Sequence, residues 1–347
     1  MKSLTAAAVF SAMLLLLLMG EDASAAVLSV MESCVTHVIP SLFPYMVLSS
    51  LMISMDLTEP LYRRLPMEKW MGLPRCSASV LLTGLLCGFP VGAVGSAALV
   101  RDGLLSRKDA AVLCAASSAA SPAFVIGNVG QRWGYEYGTV LWLTQVIFAL
   151  SSGMFLFRGS GCHTECRIHC ASAGFAQSLA SAVSSAASSC LSVIASVTFF
   201  GTAAKLLSCL IPFLKVPASV LLEFSGGAAV GAELGGLSGI IVTGAAVGFT
   251  GVSVLIQSAA SLAPEKIPLS PLILSKTAAM AVSTAVSALY YLIRHPVCTE
   301  TAASAPVFTS SDGFAALFLL ALTGIASEFL HSRITGHAHP KKHTEKT

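Results

Sequence analysis

Long stretches without charge alternate with short charged ones along this chain. The runs cover 3–20, 33–55, 77–100, 110–131 and 137–157, a Ser/Ala-rich stretch at 168–204, a broken region at 216–263, and 277–293 and 313–327. Apolar runs of roughly 20 residues predict helices that cross a bilayer. Two of the apolar segments are alike and both are broken by glycine. Ala78-Ser79-Val80-Leu81-Leu82 leads through Cys87-Gly88-Phe89-Pro90 into Val91-Gly92-Ala93, and Ala218-Ser219-Val220-Leu221-Leu222 leads through Glu223-Phe224-Ser225-Gly226-Gly227 into Val230-Gly231-Ala232. Paired, Gly/Pro-interrupted apolar segments in two halves of a membrane chain point to a transporter-type binding site. Chance likeness between Ala/Ser/Gly-rich segments is the competing explanation.

The charged loops constrain the threading. Arg63, Arg64, Lys69 and Arg75 precede the 77–100 segment, and Arg101, Arg107 and Lys108 follow it. Cytoplasmic loops collect Lys and Arg, so both ends of this segment are expected on one side, which makes it a re-entrant hairpin. Pro90 lacks an N–H and disfavours helix at Phe89, which supplies the turn. The same rule applied throughout predicts an all-α polytopic membrane protein with about eight transmembrane helices and two re-entrant hairpins. The span at 33–55 then starts outside and its counterpart at 178–204 starts inside, an inverted-topology repeat. The expected divisions are a first transmembrane helix and outer linker (1–30), repeat 1 with its hairpin at 77–100 (31–157), a cytoplasmic connector (158–177), repeat 2 with its hairpin at 216–236 (178–293), and a last transmembrane helix with a basic tail (294–347). Both termini are expected in the cytoplasm, in the inner membrane or a spore membrane of a bacterium.

Composition sharpens this reading. The 347 residues are 55% hydrophobic and only 11% charged, with a mean hydropathy of +0.79. A soluble domain carries about 25% charge, so this chain lacks the polar groups to cover a globular surface. Abundant Gly, Ala and Ser suit close helix contact in lipid. A net charge of +3 bears on orientation and does not point to nucleic acid. Of ten cysteines, Cys34, Cys87, Cys114, Cys190 and Cys209 lie in apolar runs and read as small hydrophobes. The apolar run from Ala6 to Met19 followed by Ala23-Ser24-Ala25 resembles a cleavable signal, with Ala26 as the first mature residue. An uncleaved first helix is the preferred expectation, because a polytopic protein needs no separate signal.

Three stretches carry a family resemblance: Ile39-Pro40-Ser41-Leu42-Phe43-Pro44-Tyr45-Met46, the Cys87-Gly88-Phe89-Pro90-Val91-Gly92 break, and Ser121-Pro122-Ala123-Phe124-Val125-Ile126-Gly127. In this order they resemble the sporulation integral membrane protein family of the YlbJ type, which carries the nucleoside-recognition Gate domain. Gate domains also occur in nucleoside and ferrous-iron transporters. The resemblance runs from about Val30 to Gln257 and implies a multi-spanning protein of endospore formation with no settled substrate. Ser117 and Ser118 stand where the resemblance leads us to expect Asn, so a small polar group is kept and the amide is lost.

Candidate chemistry follows the breaks. A carboxylate within an apolar span suggests an ion, proton or solute pathway, which singles out Glu223 and, less strongly, Glu233. The competing reading has both acids at the interface or paired with Lys205 and Lys215. Around the breaks, Gly88, Pro90, Gly92, Gly226 and Gly227 are expected to let backbone approach a ligand. Ser117, Ser118, Ser121 and Asn128 flank Pro122 in the first half, and Thr250, Ser253 and Gln257 take the matching place in the second. Interhelical hydrogen bonding is the plainer role for any single serine, and for Gln145. The Cys162, His163, Cys166, His169 and Cys170 loop matches no standard zinc spacing and reads as a connector, and the tail histidines (His331, His337, His339, His343) read as a solvated end. No metal or cofactor is expected, and with no P-loop, nucleotide fingerprint, H-E-x-x-H or nucleophile elbow, no enzyme is expected. The expected partners are the lipid bilayer and a small polar solute or ion, with a homo-oligomer or spore-membrane proteins as further candidates. The rival class is a non-transporting scaffold or ancillary subunit for spore-envelope assembly.

Overall fold

The computed structural model describes residues 2–55, 73–74, 77–156 and 174–294. Among these residues every regular element is helical. The connector at 158–177, the last expected span and the basic tail lie almost wholly outside the described residues. Among the described residues, four helices are long and apolar enough to cross a membrane, namely Tyr135–Phe155, Phe175–Leu210, Gly236–Leu262 and Ser270–Arg294, or five if a bent N-terminal pair counts as one span.

That pair departs from expectation. Where an outer linker was expected, the chain is helical, and helix α1 (Lys2–Leu18) meets α2 (Gly20–Ser33) at 97° across Met19. The chain then continues through a π turn at Cys34–Val38 into α3 (Ile39–Ser54). Pro40 and Pro44 follow that turn and withhold two helical N–H groups, which suits a locally widened backbone.

Next come α4 (Ser77–Cys87) and α5 (Val91–Arg101), packed on each other as a hairpin. Eleven residues rise about 16 Å, half the apolar depth of a bilayer. Ser106 opens α6 (Arg107–Ala116): its hydroxyl accepts from the Asp109 N–H at 3.2 Å and donates to the Asp109 carboxylate at 2.7 Å. The expected single span at 110–131 is interrupted at Ser117–Pro122 before a π turn (Ala123–Val129) and the short α7 (Gly130–Trp133). Pro122 disfavours helical geometry at Ser121, so α6 does not run on into the π turn. Helix α8 (Tyr135–Leu156) completes this part.

Helix α9 (Phe175–Leu210) opens the rest. Its buried positions include Ser178, Ala182, Ala186, Cys190, Val193, Val197, Gly201 and Ala204, a stripe of small residues three or four apart that lies against α2 and α3. A second short hairpin follows, α10 (Lys215–Leu222) and α11 (Phe224–Leu234). Then α12 (Gly236–Phe249) and α13 (Gly251–Leu262) form a helix broken at Thr250, and α14 (Ser270–Arg294) packs along α12, α8 and α6.

The polarity of the fold suits lipid. Phe155, Phe199, Leu191, Ile147 and Ile293 face outward, whereas Ser77, Ser96, Thr243, Ser283 and Ser287 are buried. Several of those hydroxyls, such as Ser96 to Gly92 and Ser287 to Ser283 (both 2.7 Å), donate to a carbonyl one turn back, so they stay satisfied without water.

Candidate functional site

The first break is local chemistry. Gly88 has a φ of +80°, and a Cβ there would lie 2.8 Å from the backbone nitrogen of Ser121. Both facts exclude a side chain. The Phe89–Pro90 peptide is cis. Side chains at Gly84 or Gly92 would collide with Ser117. The glycines of this hairpin therefore admit the end of α6, the protein's own backbone, where a ligand was expected.

The second break sits earlier than its glycines suggest. Glu223 is extended (φ −149°, ψ 121°) and caps α11. Its Oε1 accepts from Ser225 N–H at 3.1 Å, while its Oε2 accepts from Gly226 N–H at 2.7 Å and the Ser225 hydroxyl at 2.6 Å. It is 2% exposed. A buried carboxylate is thus held by the donors that a helix N-terminus leaves free. Gly226 and Gly227, expected in an unwound stretch, lie inside α11. A Cβ at Gly227 would come 2.7 Å from that of Ala246, so this glycine serves packing. The two ASVLL stretches are also out of register. In α4 the motif ends six residues before Gly88, and in α10 it runs straight into Glu223.

Each hairpin break abuts the break of the helix that follows it. Gly88 lies against Ser121, and Gly251 (φ +79°) lies against Leu222 and Glu223. Thr250, a non-glycine at φ +68°, is fully buried and donates its hydroxyl to the Phe249 carbonyl. Such a conformation is costly for a β-branched residue and marks a position that the surroundings over-determine.

The second hairpin tip meets the first broken helix through aromatic rings. Phe224 and Phe124 pack edge to face with centroids 4.8 Å apart. Phe89, Phe224, Ala120, Ser121, Phe124 and Gln257 share the wall of a cavity of about 20 Å³, room for one water. Two of the expected polar residues, Ser121 and Gln257, are therefore brought together. Gln257 Nε2 donates to Ser196 of α9, and Ser121 Oγ accepts from Phe124 N–H at 3.3 Å. Ser117 and Ser118 instead turn back to the Cys114 carbonyl at 3.3 and 2.6 Å. Asn128 lines a different cavity of about 40 Å³, with Ser33, His37, Arg132 and Ser225. Pro90 lines a third, about 260 Å³, between α3, α5 and α9, beside Met46, Gly95, Ser181 and Ser185. Ser253 is fully buried and its hydroxyl has no partner among the described residues.

Glu233 answers to the plainer reading, since it pairs with Lys215 at 3.0 Å on an exposed surface. Gln145 also acts as interhelical glue, accepting from Ala120 N–H at 3.2 Å. Lys205 reaches the Ser29 hydroxyl at 2.7 Å. The residue that the sequence reading missed is Lys276. It lies on α14, is 3% exposed, donates to the Ser118 carbonyl and sits 4.6 Å from the centroid of the Phe89 ring. Its signal was present as a lone lysine in the 271–293 run, hidden because the charge-free stretch begins at the next residue. Comparison of the chain with family models, with curated proteins and with solved structures gives no match.

Proposed function

We propose that this is a multi-pass membrane protein that recognises or passes a small polar solute at the junction of its two hairpin tips. The carrying observation is the shared cavity, where Phe89 of one hairpin and Phe224 of the other join Ser121 and Gln257 from the two broken helices. Binding at the meeting point of discontinuous helices is the general arrangement of secondary transporters. The element order supports a repeat, to which the loop charges add the inverted orientation, about eight spans and two hairpins. A helix, a short hairpin, a broken helix and a long helix occur in α3–α8 and again in α9–α14. A cavity sized for one water belongs to a closed form, and opening requires the tips to part. The setting suggested by the sequence resemblance is endospore formation.

The test is uptake by proteoliposomes of a panel of radiolabelled nucleosides, amino acids and monovalent cations. At least one should enter faster than into empty vesicles. The Ser121→Val/Gln257→Leu double variant should lower that rate about tenfold, the effect of losing roughly one buried polar interaction. No flux, or flux indifferent to the double variant, sinks the proposal. The second reading, a scaffold for spore-envelope assembly, draws on the edge-to-face seal of Phe124 on Phe224. It expects no flux and unchanged spore yield in the same double variant.

A further inference from the structure

We infer that the break after α6 is a binding site for a compact monovalent cation, occupied within the molecule by the Lys276 ammonium. Three independent features there favour positive charge. The C-terminal end of α6 presents the negative end of the helix dipole. The Ser118 carbonyl, outside any helix, accepts from Lys276 Nζ. The face of the Phe89 ring lies 4.6 Å from the same nitrogen, within cation–π range. Among the described residues Lys276 is the buried cation, and no acidic side chain forms an ion pair with it. A charge so deep in an apolar bundle is costly without such a cradle.

The placement gives the site a role. Phe89 is the hairpin-tip residue that also walls the central cavity, and Ser118 lies within the α6 break, three residues before Ser121 on that wall. The ammonium thus ties α14 to both the first hairpin tip and the first broken helix. In this position it does what a free coupling ion would do, holding the break closed, yet it cannot leave. Opening of the first tip then needs no dissociable cation at this place.

The test reads stability and so is independent of whether any solute is transported. Purified Lys276→Ala in detergent should unfold roughly 4 °C or more below the parent protein, the scale of one buried carbonyl left unpaired. Methylammonium or ammonium chloride should restore at least half of that loss. N-methyl-D-glucamine chloride at equal ionic strength should not, and the parent protein should respond to none of them. Rescue by sodium or potassium alone still supports the cation site. Absence of rescue by every cation, or equal rescue by N-methyl-D-glucamine, overturns it. If Lys276→Ala does not accumulate, Lys276→Met decides. A lower unfolding temperature than the parent supports the site, and equal or greater stability overturns it.

Discussion

At the scale of single residues, the two breaks are built from unlike chemistry. Pro90 and Gly88 shape the first, and the Glu223 carboxylate shapes the second. In Glu223→Gln one side-chain oxygen still accepts, but the new NH2 faces an N–H or hydroxyl donor that the carboxylate had satisfied. That substitution should cost about 1–3 kcal/mol of stability, and Ser225→Ala, which removes only the 2.6 Å hydroxyl donor, about 1 kcal/mol. Thermal unfolding of the two variants checks the order; equal stability of Glu223→Gln and the parent would remove the capping role. Residue chemistry was legible where a local rule governs it, as for Pro90 and Pro122. It was not legible at Thr250, because nothing in the sequence marks a threonine held in the left-handed region. Nor could the Phe124–Phe224 contact be foreseen, since a buried phenylalanine and a lipid-facing one look the same in an apolar run.

At the scale of elements, the short arms matter most. Apolar pattern alone places 77–100 and 216–236 in the membrane, and the structure divides both stretches into helices too short to cross it. The glycine pattern located the first break well and the second a few residues late, because glycine in an apolar helix marks close packing as readily as unwinding. The bend between α1 and α2 left no trace in the run at 3–20. Opposed hairpins expect the outer ends of the two arms on opposite faces of the membrane. In a chain stripped of native cysteines, Asp102→Cys should react with a membrane-impermeant thiol reagent only in inside-out vesicles, and Glu233→Cys only in intact cells. Labelling of both from one side would end the inverted arrangement. The Glu233 substitution also breaks an exposed ion pair, worth about 0–1 kcal/mol at most, so the fold should tolerate it.

Across the whole molecule, the two parts are joined by few but specific polar contacts. Tyr137 on α8 is fully buried and its hydroxyl meets Ser287 of α14 at 2.8 Å and the Ile240 carbonyl of α12 at 3.3 Å. Glu136 and Arg294 form an ion pair beside it at the surface. Tyr137→Phe should lower stability by about 1–2 kcal/mol, since Ile240 keeps an acceptor with one donor fewer. Glu136→Gln should cost less, about 0–1 kcal/mol, because its pair is exposed. Chemical unfolding of both variants in one detergent checks the ranking. Lys276 gives this division of the chain an order in time. Its nitrogen closes a carbonyl that was synthesised 158 residues earlier. Until α14 is synthesised, the Ser118 carbonyl of the first broken helix lacks its Lys276 donor. The first half is made first but gains this contact last, so a chain truncated before Lys276 should be degraded faster in a pulse-chase than the full chain.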